Sequence, residues 1–531
     1  MRSPWRSSSG RGFTRERGRP RPQFSPERAG TSALPGIAII STLLAFLLAA
    51  TAIAAEPRSS LVVVIDGLRP DYITPAIMPR LHALGEAGVI AEAHHAVFPT
   101  VTRVNSSSLA TGAYPQTHGL MHNTILLPDV SPDAIDTGEA PALWQAEAAT
   151  GGRLLTAVSL GEWFQQTGRR VLAAGSGTTG STWLLNHKAG PRALVLSSRD
   201  FVVPESMRER AGTVLGPPPA LAYPNREANR WAVDAYLEIG LKEFRPDVTL
   251  LWLTDPDGTA HRNGVGSPLT LEALRSVDAE LGRLLDTLAQ RGQRERTNIL
   301  VTADHGFSTH GGPFNLTALL TARGLAAGVK VVGGTQIYVQ AGGEEKVRRI
   351  VTLLQETAWV GAIFTRAATP GAREGFVPGT LSFDAIHYRH ARTADILVDP
   401  QWTEAVNAHG YAGATTSGGV AGHGSSSPYD IRIRLVAAGP DFKRGLRSSV
   451  PTSNVDLAPT LCRLHGLEPA PTMTGRVLVE LLRDGPAPAS VKVEHQVRKV
   501  SAPTSGGRYE LELHTTRVSG TEYVDFTQTR R

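Results

Sequence analysis

The stretch SLVVVID, Ser60 to Asp66, is an unbroken apolar run that stops on a carboxylate followed by glycine. Continuous rather than alternating apolar character marks a strand buried on both faces, as in a parallel sheet covered by helices. The same form recurs in DVTLLWLTDPD (247–257), which reaches Asp255 and Asp257, and in TNILVTAD (297–304), which ends on Asp304. RVLAAGS (170–176) and IRLVAAGPD (433–441) look similar. Amphipathic stretches lie between them, such as MPRLHALGEAG (78–88) and SVDAELGRLLDTLAQRG (276–292), the latter closed by glycine. Strand alternating with helix predicts a doubly wound α/β/α sandwich. In such folds chemistry collects beyond the carboxyl ends of the strands, which is where these aspartates fall.

Working outward, the rhythm breaks between residues 313 and 395. A helix-like NLTALLTARGL, two β-type runs (VKVVGG, TQIYVQ) and a second helix-like EEKVRRIVTLLQETA predict a small inserted α+β lobe. The sandwich core is therefore expected over 56–312 and 396–486. From 487 to 531 the pattern is β-rich and alternating (SVKVEHQV, RYELELHTT, TEYVDFTQ), which predicts added strands at a sheet edge.

Residues 1–55 read differently. The chain's net charge is +6, and residues 1–30, with eight arginines and two glutamates, hold the whole excess. The remainder is balanced, so a general nucleic-acid-binding surface loses its main support. No charge occurs between Arg28 and Glu56, and GIAIISTLLAFLLAATAIAA ends in small residues that fit an A-x-A cleavage site. This is a secretory signal with a long basic leader, or an uncleaved N-terminal anchor, with cleavage favoured. Either exports the rest of the chain to a periplasmic or extracellular site, and a membrane partner enters only through this segment. The one cysteine, Cys462, excludes internal disulfides. Its helix-like setting, VDLAPTLCRLHGL, predicts a small buried core residue.

The stretch FPTVTRVNSSSLATGAYPQTHG (98–119) holds six hydroxyl side chains between Phe98 and Thr111. Alone it reads first as a polar turn entering a helix, and only second as the home of a nucleophile. Asp66-Gly67 and Asp257-Gly258 read as turns or as ligand positions. Asp304 and His305 read as a cap and a core imidazole, or as ligands. Asp257 and His261, four apart in DPDGTAHRNG, share a face if helical. His423 stands among glycines and serines in GGVAGHGSSSP. Taken together, three carboxylates and three imidazoles fall at strand ends of one sheet beside a hydroxyl-rich turn. Mixed Asp/His sets suit zinc, and two such ions can activate a hydroxyl and clamp both oxygens of a phosphoryl transfer.

VVVIDGLRPDYI, FPTVTRVNSSSLATGAYPQTHGLMHN, DPDGTAHRNG, TADHGF and GHGSSSP together resemble the alkaline phosphatase superfamily. They are most similar to its type I phosphodiesterase/nucleotide pyrophosphatase branch, in the family's order, from about residue 60 to about 465. The resemblance implies an alkaline phosphatase-like fold and two Zn2+ ions. Asp66, Asp304, His305 and Thr102 would hold one ion, and Asp257, His261 and His423 the other. It makes Thr102 the nucleophile and Asn123 a donor to a non-bridging phosphate oxygen. A threonine hydroxyl needs a bound metal to become a nucleophile, and a helix start offers backbone N–H groups, including that of Arg103, to the phosphate. Ser106, Ser107 and Ser108 fall inside the expected helix, where they pack or cap.

Two departures bear on substrate. Arg103 stands where family diesterases often carry an aromatic or apolar residue, and its guanidinium either pairs with a substrate carboxylate or second phosphate or points to solvent. The stretch AAGSGTTGSTWLLNH (173–187) lacks a Lys-x-Arg pair, which favours singly charged diesters over monoester dianions. The expected activity is an exported two-zinc phosphodiesterase/nucleotide pyrophosphatase acting on a small phosphate ester. The alternative is an alkaline phosphomonoesterase or phosphonoacetate-type hydrolase. A sulfatase is disfavoured because no cysteine or serine lies in the required C/S-x-P-x-R context. A cofactor-independent mutase conflicts with the leader, and an inactive envelope-bound binding protein conflicts with the complete set of ligands and hydroxyl.

Overall fold

Ser59–Ile65 forms the strand that its apolar run predicts (β1), and Leu61 to Ile65 are fully shielded from solvent. Its side chains point alternately to two cores. Leu61, Val63 and Ile65 pack with Leu274, Val277 and Leu281 of the helix Pro268–Gln290. Val62 and Val64 pack on the other face with Leu109 and Trp183. Burying one such side chain contributes roughly 1.5–3 kcal/mol, so β1 anchors both layers at once.

The computed structural model describes residues 58–188 and 190–531; the expected leader and signal or anchor at 1–55 lie outside the described residues. Among the described residues, no helix is long and apolar enough to cross a membrane. Beside β1, the central sheet contains β2 (Val89–His95), β3 (Val171–Gly175), β4 (Ala193–Ser197), β5 (Phe201–Val203) and β6 (Val248–Leu253). It is completed by β7 (Thr297–Thr302), β8 (Arg432–Ala438), β9 (Leu446–Ser448) and β10 (Thr452–Ser453). The order is β9-β2-β8-β7-β1-β6-β3-β4-β5, with β10 also on β2. β1 runs parallel to β6 and β7, and β3 runs parallel to β6 and β4. This is the α/β sandwich expected.

β8 departs from the parallel pattern and runs antiparallel to both neighbours, β7 and β2. An apolar run buried on both faces encodes burial and not direction, so its likeness to β1 misleads. Asp441 consequently emerges at the opposite sheet edge from Asp66 and Asp304, where Asn298 Nδ2 donates to it at 2.7 Å. The reversal also brings the segment before β8, which carries His423, in at the edge where β1 and β7 end.

A second, five-stranded sheet contains Val329–Val332, Gln336–Val339, Ile396–Pro400, Val360–Thr365 and Leu381–Ser382, in that spatial order. The helices Leu316–Ala322 and Gly343–Gln355 share its apolar core. Ile396–Pro400 sits mid-sheet, so this sheet continues past residue 395. The tail does not extend a sheet edge as expected. Val493–Thr504, Gly507–Val518 and Thr521–Arg530 make their own three-stranded antiparallel meander. Its alternating residues Tyr509, Leu511 and Leu513 bury one face in the core that holds Val360 and Phe364, and the tail thus covers a face rather than pairing with an edge. Cys462 is buried, as expected.

Candidate active site

Adjacent strand ends place the carboxylates. Asp66 N–H donates to Leu253 O at 2.9 Å, and Asp257 N–H donates to Asp66 O at 3.1 Å, so β1 and β6 deliver the two acids side by side. Gly67 follows at φ +73°, a left-handed turn that favours glycine, and its N–H donates to Asp304 Oδ1 at 3.1 Å. Trp252 Nε1 donates to Asp66 Oδ2 at 3.0 Å. Asp257 begins the helix Asp257–Asn263, and one turn later His261 brings Nε2 to 3.2 Å from Asp257 Oδ1. Asp255 takes no part. It accepts from Asn225 N–H at 2.6 Å, Asn229 Nδ2 at 3.2 Å and Thr259 Oγ1 at 2.7 Å, tying down the start of that helix.

β7 runs out into Asp304 and His305. Three residues on, Ser308 and Thr309 pair antiparallel with Gly422 and Ala421 in a small four-stranded sheet. That pairing sets His423 against His305, with ring centroids 3.4 Å apart and the rings nearly coplanar in orientation at 12°. A local β-ladder thus closes the sequence gap between the two histidines.

All three imidazoles are held in the same tautomer. Nδ1 of His261 meets Ala421 O at 2.9 Å, Nδ1 of His305 meets Gly306 O at 3.0 Å, and Nδ1 of His423 meets Thr100 O at 2.7 Å. A carbonyl can only accept, so Nδ1 carries the proton and Nε2 of the neutral ring presents a lone pair inward. Facing these nitrogens, Asp304 Oδ2 lies 3.0 Å and Asp66 Oδ1 3.6 Å from His305 Nε2, and Asp257 Oδ1 lies 3.3 Å from His423 Nε2. Those same three carboxylate oxygens are buried without a hydrogen-bond partner. Acceptors facing acceptors away from water fit metal cations, and the donor set suits a hard or borderline dication.

Among the described residues, two groups have their ligand atoms within 4.8 Å of one another: Asp66, Asp304 and His305, and Asp257, His305 and His423. The first matches the expected set of side chains. The second contains His305 where the expectation put His261. The stacked His305 ring brings its nitrogen alongside His423, whereas His261, with 42% of its side chain exposed, reaches Asp257 from the rim, edge-on to Phe307.

The electrostatics of the cluster are divided. Burial, and then the charges of Asp304 and Asp257, push the Asp66 carboxyl well above the ordinary range. Burial acts the same way on Asp257, but His261 and His423 outweigh it and hold its pKa well below that range. Burial opposes the charged form of His261, yet Asp257 carries its pKa up to about 9. Burial, and then His305, push His423 down. One pocket drives one carboxyl towards neutrality and keeps its neighbour ionised, an imbalance typical of functional clusters.

Thr102 opens the helix Thr102–Thr111, with Val101 extended before it and Gly112 at φ +61° ending it. Thr102 Oγ1 is buried and lies 3.4 Å from His305 Nε2. Thr100 is occupied elsewhere: its hydroxyl donates to Ser425 O at 2.7 Å and accepts from Gly424 N–H at 3.1 Å. Ser106, Ser107 and Ser108 are buried within the helix, and Ser108 Oγ meets His118 Nε2 at 3.1 Å. The expectation for Arg103 N–H is corrected: it donates to Asn123 Oδ1 at 2.9 Å. Asn123 Oδ1 is thereby committed, and its Nδ2 makes no hydrogen bond among the described residues.

Residues 60–419 match the family described as type I phosphodiesterase / nucleotide pyrophosphatase. The chain belongs to that family. Family relatives include a venom phosphodiesterase of Macrovipera lebetinus, 25% identical over 83% of this chain and 47% of its own length. Ectonucleotide pyrophosphatase/phosphodiesterase family member 3 of Bos taurus is 24% identical over 77% of this chain and 42% of its own. Bis(5'-adenosyl)-triphosphatase ENPP4 of Bos taurus is 23% identical over 78% of this chain and 80% of its own. A venom phosphodiesterase of Crotalus durissus collilineatus is 28% identical, and the chain spans only 25% of it. The chain thus covers half or less of the venom relatives it matches.

Sequence reasoning missed the supports of the site. Trp252 reads as one more apolar residue of β6, and nothing local marks its indole as a donor. Asn454 Nδ2 donates to Asn105 Oδ1 at 3.2 Å and Ala303 O at 3.0 Å, bracing the Thr102 helix against the Asp304 turn. Asn454 lies 349 positions from Asn105 and 151 from Ala303, and no signal in any of these segments links them.

Proposed function

We propose that this chain is an exported two-zinc phosphodiesterase/nucleotide pyrophosphatase that works by double displacement on Thr102. Asp66, Asp304, His305 and Thr102 would hold one ion, and Asp257, His261 and His423 the other; when bound, the ions supply charge for activating a hydroxyl and stabilising a leaving oxygen. Thr102 Oγ forms a bond to phosphorus while the bond to the leaving alcohol or nucleoside phosphate breaks. Asn123 Nδ2 donates to a non-bridging oxygen. Water then attacks the phosphothreonine, the P–Oγ bond breaks, and Thr102 is restored with release of a phosphate monoester. Export rests on the basic leader and apolar segment of residues 1–55, and family membership supports the chemistry.

The observation that carries this reading is the meeting of three orphaned carboxylate oxygens with inward-facing imidazole nitrogens, beside the buried Thr102 hydroxyl at 3.4 Å from His305 Nε2. The competing reading is a phosphomonoesterase or phosphonate hydrolase of the same superfamily. The Lys-free segment 173–187 disfavours it: Thr179–Leu185 is a wholly buried helix and presents no cation to a dianion. A panel of bis-aryl, nucleotide and mono-aryl phosphates on purified protein tests the choice, run beside Thr102→Ala. Diesters should win, the variant should lose at least about a thousandfold in kcat, and metal analysis should find two zinc per chain. A monoester preference of a thousandfold would sink the diesterase reading.

A further inference from the structure

Arg103 is the one residue of the helix Thr102–Thr111 that is not buried outright. Its backbone is committed to Asn123, yet its guanidinium makes no hydrogen bond and no ion pair among the described residues, and Nε is sealed from water. A guanidinium offers five donors in a planar fork, and leaving it unmatched in a partly buried position is costly unless something arrives to meet it.

Its surroundings locate what would arrive. The fork lies against the Asp136 turn: the space beside Gly138 is bounded by both Arg103 Nη2 and Asp136 Oδ1. Consecutive helix residues project about 100° apart, so Arg103 leaves the helix on a different side from the Thr102 hydroxyl. The far wall is the hairpin of Thr124–Ile125 and Ile135–Asp136. Thr137 ties it to Asn123 O through its N–H at 3.0 Å and its hydroxyl at 2.6 Å. Gly138 leaves the fork its room, since a Cβ there would sit 2.9 Å from Arg103 Nη2. Asp136 does not close on Arg103; its Oδ1 accepts from Gly138 N–H at 2.8 Å. The inserted lobe reaches the same flank, where Thr335 Oγ1 approaches His122 Nε2 at 3.5 Å.

We propose that Arg103 is a specificity residue that binds a second anionic group, phosphate or carboxylate, carried by the substrate beyond the scissile phosphorus. The proposal rests on the diesterase reading. In that reading Asn123 and the candidate metal cluster serve the scissile phosphate, and the unmatched fork beside Gly138 is left for a second group. Planar bidentate pairing suits both anions.

Three p-nitrophenyl phosphodiesters with a common leaving group test it, their second arm being ethyl, 2-carboxyethyl or 2-phosphonoethyl. The wild-type protein should prefer at least one charged arm over ethyl by tenfold or more in kcat/KM, and which arm wins tells carboxylate from phosphate. In Arg103→Gln that ratio should fall to about two or less, and Arg103→Lys should keep part of it, which guards against a Gln variant that fails to fold. A wild-type ratio near one, or a ratio that survives Arg103→Gln, overturns the proposal. Cleavage of p-nitrophenyl phosphate with no turnover of the ethyl diester instead overturns the diesterase reading beneath it.

Discussion

Thr100 and Thr102 stand two positions apart with opposite environments. Thr100 straps the nucleophile turn to the His423 loop: its hydroxyl serves Ser425 O and Gly424 N–H, and its carbonyl receives His423 Nδ1–H. Thr102 Oγ1 has one neighbour, His305 Nε2, at the outer limit of a hydrogen bond. Replacing each hydroxyl by a methyl group should therefore separate structure from chemistry. Thr100→Val leaves a buried carbonyl and amide unmatched and should lower unfolding free energy by about 1–3 kcal/mol while keeping measurable turnover. Thr102→Val should change stability by less than about 1 kcal/mol and abolish turnover. Urea denaturation and diester kinetics on both variants decide it, and the reverse pattern would reassign the nucleophile.

At the scale of elements, the turn after β1 governs how close the two halves of the cluster approach. An ideal Cβ on Gly67 would lie 3.0 Å from Phe307 and 3.2 Å from both Cα and Cβ of Asp257, at a φ of +73°. Gly67→Ala must therefore push Asp257 away or twist the turn, and we expect metal content below that of the native chain and a lower melting temperature. An unaltered metal stoichiometry by mass spectrometry would show that Asp257 is not held by this contact. Such turns were legible in the sequence, because an apolar run that stops at Asp-Gly states where a strand ends. The end of β1 was readable in this way, and with it Asp66; the runs of β6 and β7 announced their ends by the aspartates that follow them, and with those the neighbourhood of Asp257, Asp304 and His305. The direction of β8 was not, since burial on two faces looks the same either way. Nor was the tail's attachment, because alternation says one face is buried and not what buries it. Asp255 and Asp257 could not be told apart by spacing; Asn225, Asn229 and Thr259 together claim the former.

Across the whole molecule, the inserted sheet, the His423 loop and the tail meet at one buried acid. Asp399 Oδ2 accepts from the N–H of Ser426 at 2.9 Å and from its hydroxyl, and Thr527 N–H of the tail donates to Ser426 O at 3.2 Å. Burial pushes the Asp399 carboxyl up to about 7, with Asp430 adding to the effect. Its folded pKa thus lies above the unfolded value near 4, so the folded chain binds the extra proton. Stability from this group is complete below about pH 4 and is lost as pH rises to about 7, a change on the order of a few kcal/mol. Asparagine can offer its single oxygen to the same Ser426 donors without the buried charge. Asp399→Asn should accordingly match the native protein near pH 4 and gain on it steadily up to pH 8, read as the difference between urea midpoints along the series. A gap that stays constant with pH, or a variant less stable at pH 8, would mean that Asp399 keeps its charge in the fold and that the junction depends on it.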